Sequence, residues 1–215
     1  MSFDTLVFDF NGTIIDDLDF CVDVLNDMLT KHDHKAVTKQ EYLDVFTFPI
    51  IEYYRKAGFL FPPLGTDDFE ELAVDFDTQY NQGFKDCQMF EDIIPFLKKY
   101  QGKKRLIVLS ATKTSTLLEE LKQLKILSYF DGIIGTDDIY GASKLDQARR
   151  YFSSNPYNPD STLFIGDTLH DQEVGKDLKG KTALIYRGHQ SKSVLEKGKP
   201  DFLLPTIEDL IKVKE

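Results

Sequence analysis

A chain of 215 residues, 41% hydrophobic and 29% charged, is long enough to bury one large core or a core carrying an insertion. Its net charge of −10 sets up a field that repels phosphate backbones and anionic lipid, and no apolar run nears the ~18 residues of a membrane helix, so nucleic acid and membrane are not expected partners. Two cysteines, Cys21 and Cys87, make no disulfide framework and fit buried thiols in a reducing cytoplasm, and with no basic stretch followed by an apolar one a secretory signal is not expected.

The first predicted element is "TLVFDF" (5–10), a short apolar run stopped by Gly12, as expected of a buried strand. A helical stretch follows. In "DLDFCVDVLNDMLTKH" (17–32), Phe20, Val24, Leu25, Met28 and Leu29 form a stripe at helical spacing. "TKQEYLDVF" (38–46) opens with Thr38 and carries Glu41 three residues on, a capping-box pattern. "FPIIEYYRKAGF" (48–59) places a proline before a helix and Gly58 at its end, and 67–84 reads as an acidic helix. Most of the aromatics Phe46, Phe48, Tyr53, Tyr54, Phe59 and Phe61 are expected to pack as core. No buried strand is predicted between 16 and 86. Beyond it, "RLIVLS" (105–110), "GIIG" (132–135), "TLFIGD" (162–167) and "TALIYR" (182–187) are apolar runs ending near Gly, Ser or Asp. Amphipathic segments at 92–100, 115–126 and 207–214 lie among them. Alternating strands and helices predict an α/β fold, a parallel sheet with helices on both faces.

In such a sheet ligands bind beyond the carboxyl ends of the strands. The polar residues expected there are Asp9 and Asn11, Ser110, then Asp167 with Asp171 four residues later. Lys144 follows Gly141-Ala142-Ser143 at the start of a helix. Clustered carboxylates repel and call for a cation, and oxygen donors without His or Cys favour Mg²⁺. A metal, a lysine and a hydroxyl together suit a phosphoryl dianion, and a carboxylate aimed at phosphorus can act as a nucleophile. Taken singly, each residue has a plainer use: Ser110 as a helix cap, Lys144 on the surface, Asp167 and Asp171 as caps of the next helix.

Together, "DFNGT", "VLSAT", Lys144 and "GDTLHD" resemble the four motifs of the haloacid dehalogenase-like hydrolase superfamily, in order and over nearly the whole chain. The resemblance is to its phosphoglycolate-phosphatase-like branch. It implies a Rossmann-like core of residues 1–15 and 86–215 and an inserted α-helical cap of residues 16–85. It also implies a Mg²⁺-dependent phosphatase acting on a small phosphorylated metabolite. Asp9 would be the phosphorylated nucleophile. Ser110 and the N–H of Ala111 would hold the phosphoryl oxygens, with Lys144 beside them. Asp9, Asn11 through its carbonyl, Asp167 and Asp171 would hold the metal.

Asn11 departs from the family pattern, in which a second aspartate supplies general acid and base. An amide cannot deliver a proton. Losing that group costs about 10²–10⁴ in rate, roughly 3–5 kcal/mol of barrier. Three readings follow: a leaving group that needs no proton, such as an acyl or aryl phosphate; a substitute such as Asp16, Asp17, His32 or His34; or a catalytically impaired protein that binds a phospholigand or regulates. Lys113, Arg55 and Lys56 are further cations within possible reach, with solvated positions as their plainer reading. Nothing in the sequence specifies the substrate or an oligomeric state.

Overall fold

The computed structural model describes residues 3–137 and 144–212. Strand β1, Thr5–Phe8, is buried along its whole length. Its side chains alternate between faces: Leu6 and Phe8 join one apolar cluster, Val7 the other.

Two short strands, β2 (Ile15–Asp16) and β3 (Gln88–Met89), pair antiparallel where the chain leaves and re-enters the sheet region. Then come β4 (Arg105–Lys113), β5 (Gly132–Thr136), β6 (Thr162–Gly166), β7 (Lys181–Ile185) and β8 (Phe202–Leu204). With β1 they form one parallel sheet in the order β5-β4-β1-β6-β7-β8. Val7 sits opposite Ile107 of β4 and Phe164 of β6.

Four helices lie between β2 and β3: α1 (Leu18–Lys31), α2 (Lys39–Val45), α3 (Ile50–Ala57) and α4 (Phe69–Gly83). Thr38 caps α2 with the expected box: Glu41 N donates to Thr38 Oγ1 at 3.2 Å, and Thr38 N to Glu41 Oε2 at 2.7 Å. Gly58 ends α3 at φ 127°, a conformation that favours glycine. Tyr53, Tyr54, Phe59 and Phe61 are buried as expected; Phe46, packed against the same core, and Phe48 are half-buried, and with Tyr53 and Tyr54 they line a cavity.

The later helices α5 (Ile93–Tyr100), α6 (Thr114–Gln123), α7 (Lys144–Ser154), α8 (Leu169–Asp177) and α9 (Lys192–Gly198) cover the sheet. Phe96, Leu117 and Leu121 pack with the Phe8 side; Ala148, Phe152 and Val174 pack with Val7. Two expectations change. Strand β4 runs three residues past Ser110. The C-terminal segment predicted as a helix over 207–214 is a single 3₁₀ turn, Glu208–Ile211, and its last two residues lie outside the described residues. Among the described residues no helix is long and apolar enough to cross a membrane.

Glu120 on the inner face of α6 is buried with no hydrogen-bond partner for either carboxylate oxygen. Burial, with the neighbouring charges of Asp17, Asp77 and Glu119, pushes its pKa up to about 8. The folded chain therefore keeps a proton that the unfolded chain releases near the ordinary value of 4.5. Stability is full below that value and falls as pH rises toward 8. Glu120→Gln is expected to stabilise the fold by roughly 2–3 kcal/mol at pH 7 and by little near pH 4, at about 1.4 kcal/mol per pH unit. Urea unfolding at the two pH values checks this; an equal gain at both, or a loss at pH 7, contradicts it.

Candidate active site

The chain leaves β1 on one side for β4 and β5 and returns to the other side for β6. That reversal opens a crevice at the carboxyl ends of β1, β4 and β6, where Asp9, Ser110 and Asp167 stand. Asp9 N donates to Ile165 O at 2.7 Å, so the sheet ladder itself positions the carboxylate. The chain then turns sharply through Gly12 at φ +67°. A Cβ on Gly12 would collide with the Asp167 carboxylate and the His189 ring, which is why the turn needs glycine.

Lys144, the first residue of α7, is buried between two carboxylates. Its Nζ donates to Asp9 Oδ1 at 2.5 Å and to Asp171 Oδ1 at 2.6 Å. The other oxygen of Asp171 accepts from Thr168 N at 3.0 Å and Thr168 Oγ1 at 2.7 Å. Asp171 thus caps α8 and faces the site at once; the two sequence readings of this residue are compatible. Asp167 accepts from Thr13 Oγ1 at 3.0 Å and from His189 N at 2.6 Å.

Asp9, Asp167 and Asp171 each bring a carboxylate oxygen within 4.8 Å of the others. Burial raises the Asp9 pKa well above the usual range, against the pull of Lys144 and with the push of Asp171 and Asp167. Asp167 is pushed up to about 6, chiefly by burial. Burial also works against ionised Asp171, but Lys144 holds it below the ordinary value. Lys144 in turn is held above its usual pKa by Asp171 and Asp9, despite burial. Asp9 and Asp171 share one ammonium, Asp167 stands beside them, and a further cation would relieve the repulsion of the three carboxylates. The donors are hard oxygens, which fits Mg²⁺.

Asn11 is turned toward a second buried group. Its Nδ2 donates to Asp17 Oδ2 at 2.9 Å and to the Tyr80 hydroxyl at 2.7 Å. Its Oδ1 accepts from Thr112 Oγ1 at 3.1 Å, with Ser110 Oγ at 3.5 Å. Asp17 also accepts from Gly12 N at 2.9 Å, from Tyr80 OH at 2.8 Å and from His189 Nε2 at 3.1 Å. Burial opposes its charge, but the His189 charge and these bonds hold its pKa below the ordinary value. Burial likewise opposes the His189 cation, yet Asp17, Asp167 and Asp9 raise its pKa to about 9. The pair is an imidazolium and a carboxylate at neutral pH. Cys21 lies in reach of the same pair, but the His189 and Asp17 donor atoms already satisfy each other. An amide at position 11 therefore has a structural use: it gives Asp17 a proton donor where an aspartate would set a carboxylate against a carboxylate.

Ser110 is buried and bonded to its own strand: its Oγ accepts from Thr112 N at 3.0 Å and lies 3.0 Å from Thr112 Oγ1. Ala111 and Thr112 face the cavity above Asp9, together with Lys113. His32 and His34 do not reach it. They grip Asp67 at 2.9 and 2.7 Å and both meet the Phe59 ring in T-shaped contacts. Asp16 is exposed on β2. The segment Gly141-Ala142-Ser143 lies outside the described residues. Sequence reading missed Thr112, Tyr80 and His189. His189 was within reach of the strand-end rule, four residues beyond β7; Tyr80, on a distant helix, carried no signal.

A family model for haloacid dehalogenase-like hydrolases matches residues 6–185. The chain is 23% identical over 215 residues to pyrophosphatase PpaX of Anoxybacillus flavithermus, covering 99% of this chain and 97% of that one. A haloacid dehalogenase-like family hydrolase from Streptococcus pneumoniae superposes with a TM-score of 0.82 at 20% identity, covering 98% of both chains. A Lactobacillus delbrueckii subsp. bulgaricus protein provisionally named a phosphoglycolate phosphatase reaches 0.80 at 17% identity, covering 98% of this chain and 97% of that one. Structural likeness at such identity speaks for the fold alone, and the relatives' names differ in substrate. The family match, spanning most of the chain, makes this protein a member of the haloacid dehalogenase-like hydrolases.

Proposed function

We propose that this chain is a cytoplasmic, Mg²⁺-dependent phosphatase that hydrolyses a small phosphorylated metabolite through an aspartyl-phosphate at Asp9. The observation that carries the reading is the cluster of Asp9, Lys144, Asp167 and Asp171 at the carboxyl edge of the sheet. Residues 1–15 and 86–215 form the core in this reading, and 16–85 the cap that shields the site from water.

Asp9, Asp167, Asp171 and the Asn11 carbonyl would hold Mg²⁺, which when bound neutralises charge on the transferring phosphoryl group. An Asp9 oxygen attacks phosphorus while Lys144 fixes the carboxylate. The ester P–O bond breaks and its electron pair leaves with the alcohol oxygen. The N–H of Ala111 takes a phosphoryl oxygen; Ser110 can join only by giving up a bond to Thr112. Water then cleaves the aspartyl-phosphate and restores the carboxylate. Asn11 has no proton to give at the first step. Asp17, held ionised by its donors, is a poor acid too.

The competing reading is a phospholigand-binding or regulatory protein, favoured by Asn11 alone. Phosphate release from acetyl phosphate, p-nitrophenyl phosphate and phosphoglycolate, with and without Mg²⁺, separates the two. The phosphatase reading expects metal-dependent release from at least one of them. Saturable Mg²⁺-dependent phosphate binding with no release above background would favour the binding protein instead.

A further inference from the structure

The cavity above Asp9 has two unlike ends. One end holds the carboxylates, Lys144, Ala111, Thr112 and Lys113. The other is built from rings. Along α4, Phe69, Ala73, Phe76 and Tyr80 recur at helical spacing and all face the cavity. Phe46, Phe48 and Tyr53 complete the wall from the α2–α3 side. Among its described lining residues, Lys113 and Lys144 are the only lysines or arginines. Lys144 is already shared by Asp9 and Asp171. Arg55 instead bonds Glu52 and lies over the Phe61 ring. The ring-lined wall contributes a carboxylate, Asp77.

A second anionic group on the substrate, such as the far phosphate of pyrophosphate or the carboxylate of phosphoglycolate, would be desolvated among rings with no lysine or arginine to meet it, and His189, stacked on Phe46, is already paired with Asp17. A flat, uncharged ring would find stacking and edge contacts instead. Position 11 selects in the same direction. Without a general acid, the leaving oxygen must depart as a stable anion.

Resting on the phosphatase reading for its chemistry, we propose that the slot recognises the aryl ring of a phosphate monoester, so that the substrate class is the phosphorylated phenol. The Asp9 oxygen forms its bond to phosphorus as the P–O(aryl) bond breaks. The electron pair goes to the phenolate, which takes its proton from water after release.

The test has a turnover arm and a binding arm. In turnover, phenyl and naphthyl phosphate should exceed acetyl phosphate and phosphoglycolate at least tenfold in kcat/KM. Phe76→Ala should cut the aryl-to-acetyl ratio about tenfold. In binding, calorimetry with Mg²⁺ should find phenylphosphonate at least tenfold tighter than methylphosphonate. Metal-dependent turnover that favours acetyl phosphate or phosphoglycolate would overturn the aryl slot while leaving the phosphatase reading intact. Absence of turnover on every ester, with phenylphosphonate still preferred, would sink the phosphatase reading and support the slot. Equal affinity for the two phosphonates overturns the slot with or without catalysis.

Discussion

Replacing Asp9 by asparagine is expected to lower Mg²⁺-dependent phosphate release by ~10³-fold or more, as removal of a covalent nucleophile does in other hydrolases. The substitution keeps shape and backbone bonding, since Asp9 is placed by a main-chain bond to Ile165. It changes only the charge facing Lys144, Asp167 and Asp171. The loss should therefore come without unfolding. In metal-free buffer the variant should be no less stable than the parent, because burial already raises the Asp9 pKa well above the usual range and disfavours the anion. Stabilisation by added Mg²⁺ should shrink, since one of three carboxylates is gone. Release rates and thermal midpoints measured side by side check both halves. Residual activity within tenfold of the parent would remove Asp9 from the mechanism.

Asn11→Asp should act selectively. Phosphate esters of ordinary alcohols need a proton at the leaving oxygen, and supplying an acid there is expected to speed them by about 10²-fold or more. Aryl phosphates, whose leaving group departs as an anion, should change by less than about tenfold on the same grounds. The new carboxyl would stand where the Asn11 amide now donates to Asp17 at 2.9 Å. Two carboxyls at that separation share one proton, which raises the pKa of one of them. The proton donor is then present below that raised pKa and lost above it. Both the added activity and the stability of the variant should decline as pH rises. Equal acceleration of alkyl and aryl esters would show that Asn11 limits a step common to both.

The core strands β1, β4 and β6 were legible because strands buried on both faces read as unbroken apolar runs, and Asp9, Ser110 and Asp167 followed from where those runs stop. Helices α1 to α4 were legible from periodicity and end signals such as Thr38 and Gly58. The β2–β3 pair, two residues long on each side, and the three-residue β8 are too short to carry a period. The surroundings of Asn11 were hidden for another reason. Tyr80 and His189 reach Asp17 across 63 and 172 residues of chain, and no local pattern encodes such meetings. The sequence marks Asn11 as a departure; only the fold shows the amide bonded to Asp17, with an imidazolium on the far oxygen. The aromatic wall was legible only as core: Phe46 packs against the core cluster and also lines the cavity, a second role that its place in the sequence does not show.

The aspartyl-phosphate at Asp9 is tested most directly by quenching the protein in acid during Mg²⁺-dependent turnover of p-nitrophenyl phosphate and mapping phosphoryl groups by mass spectrometry. One phosphoryl group is expected on the peptide bearing Asp9. Steady turnover with no phosphoryl group at Asp9, or with one on another residue, would contradict the aspartyl-phosphate mechanism.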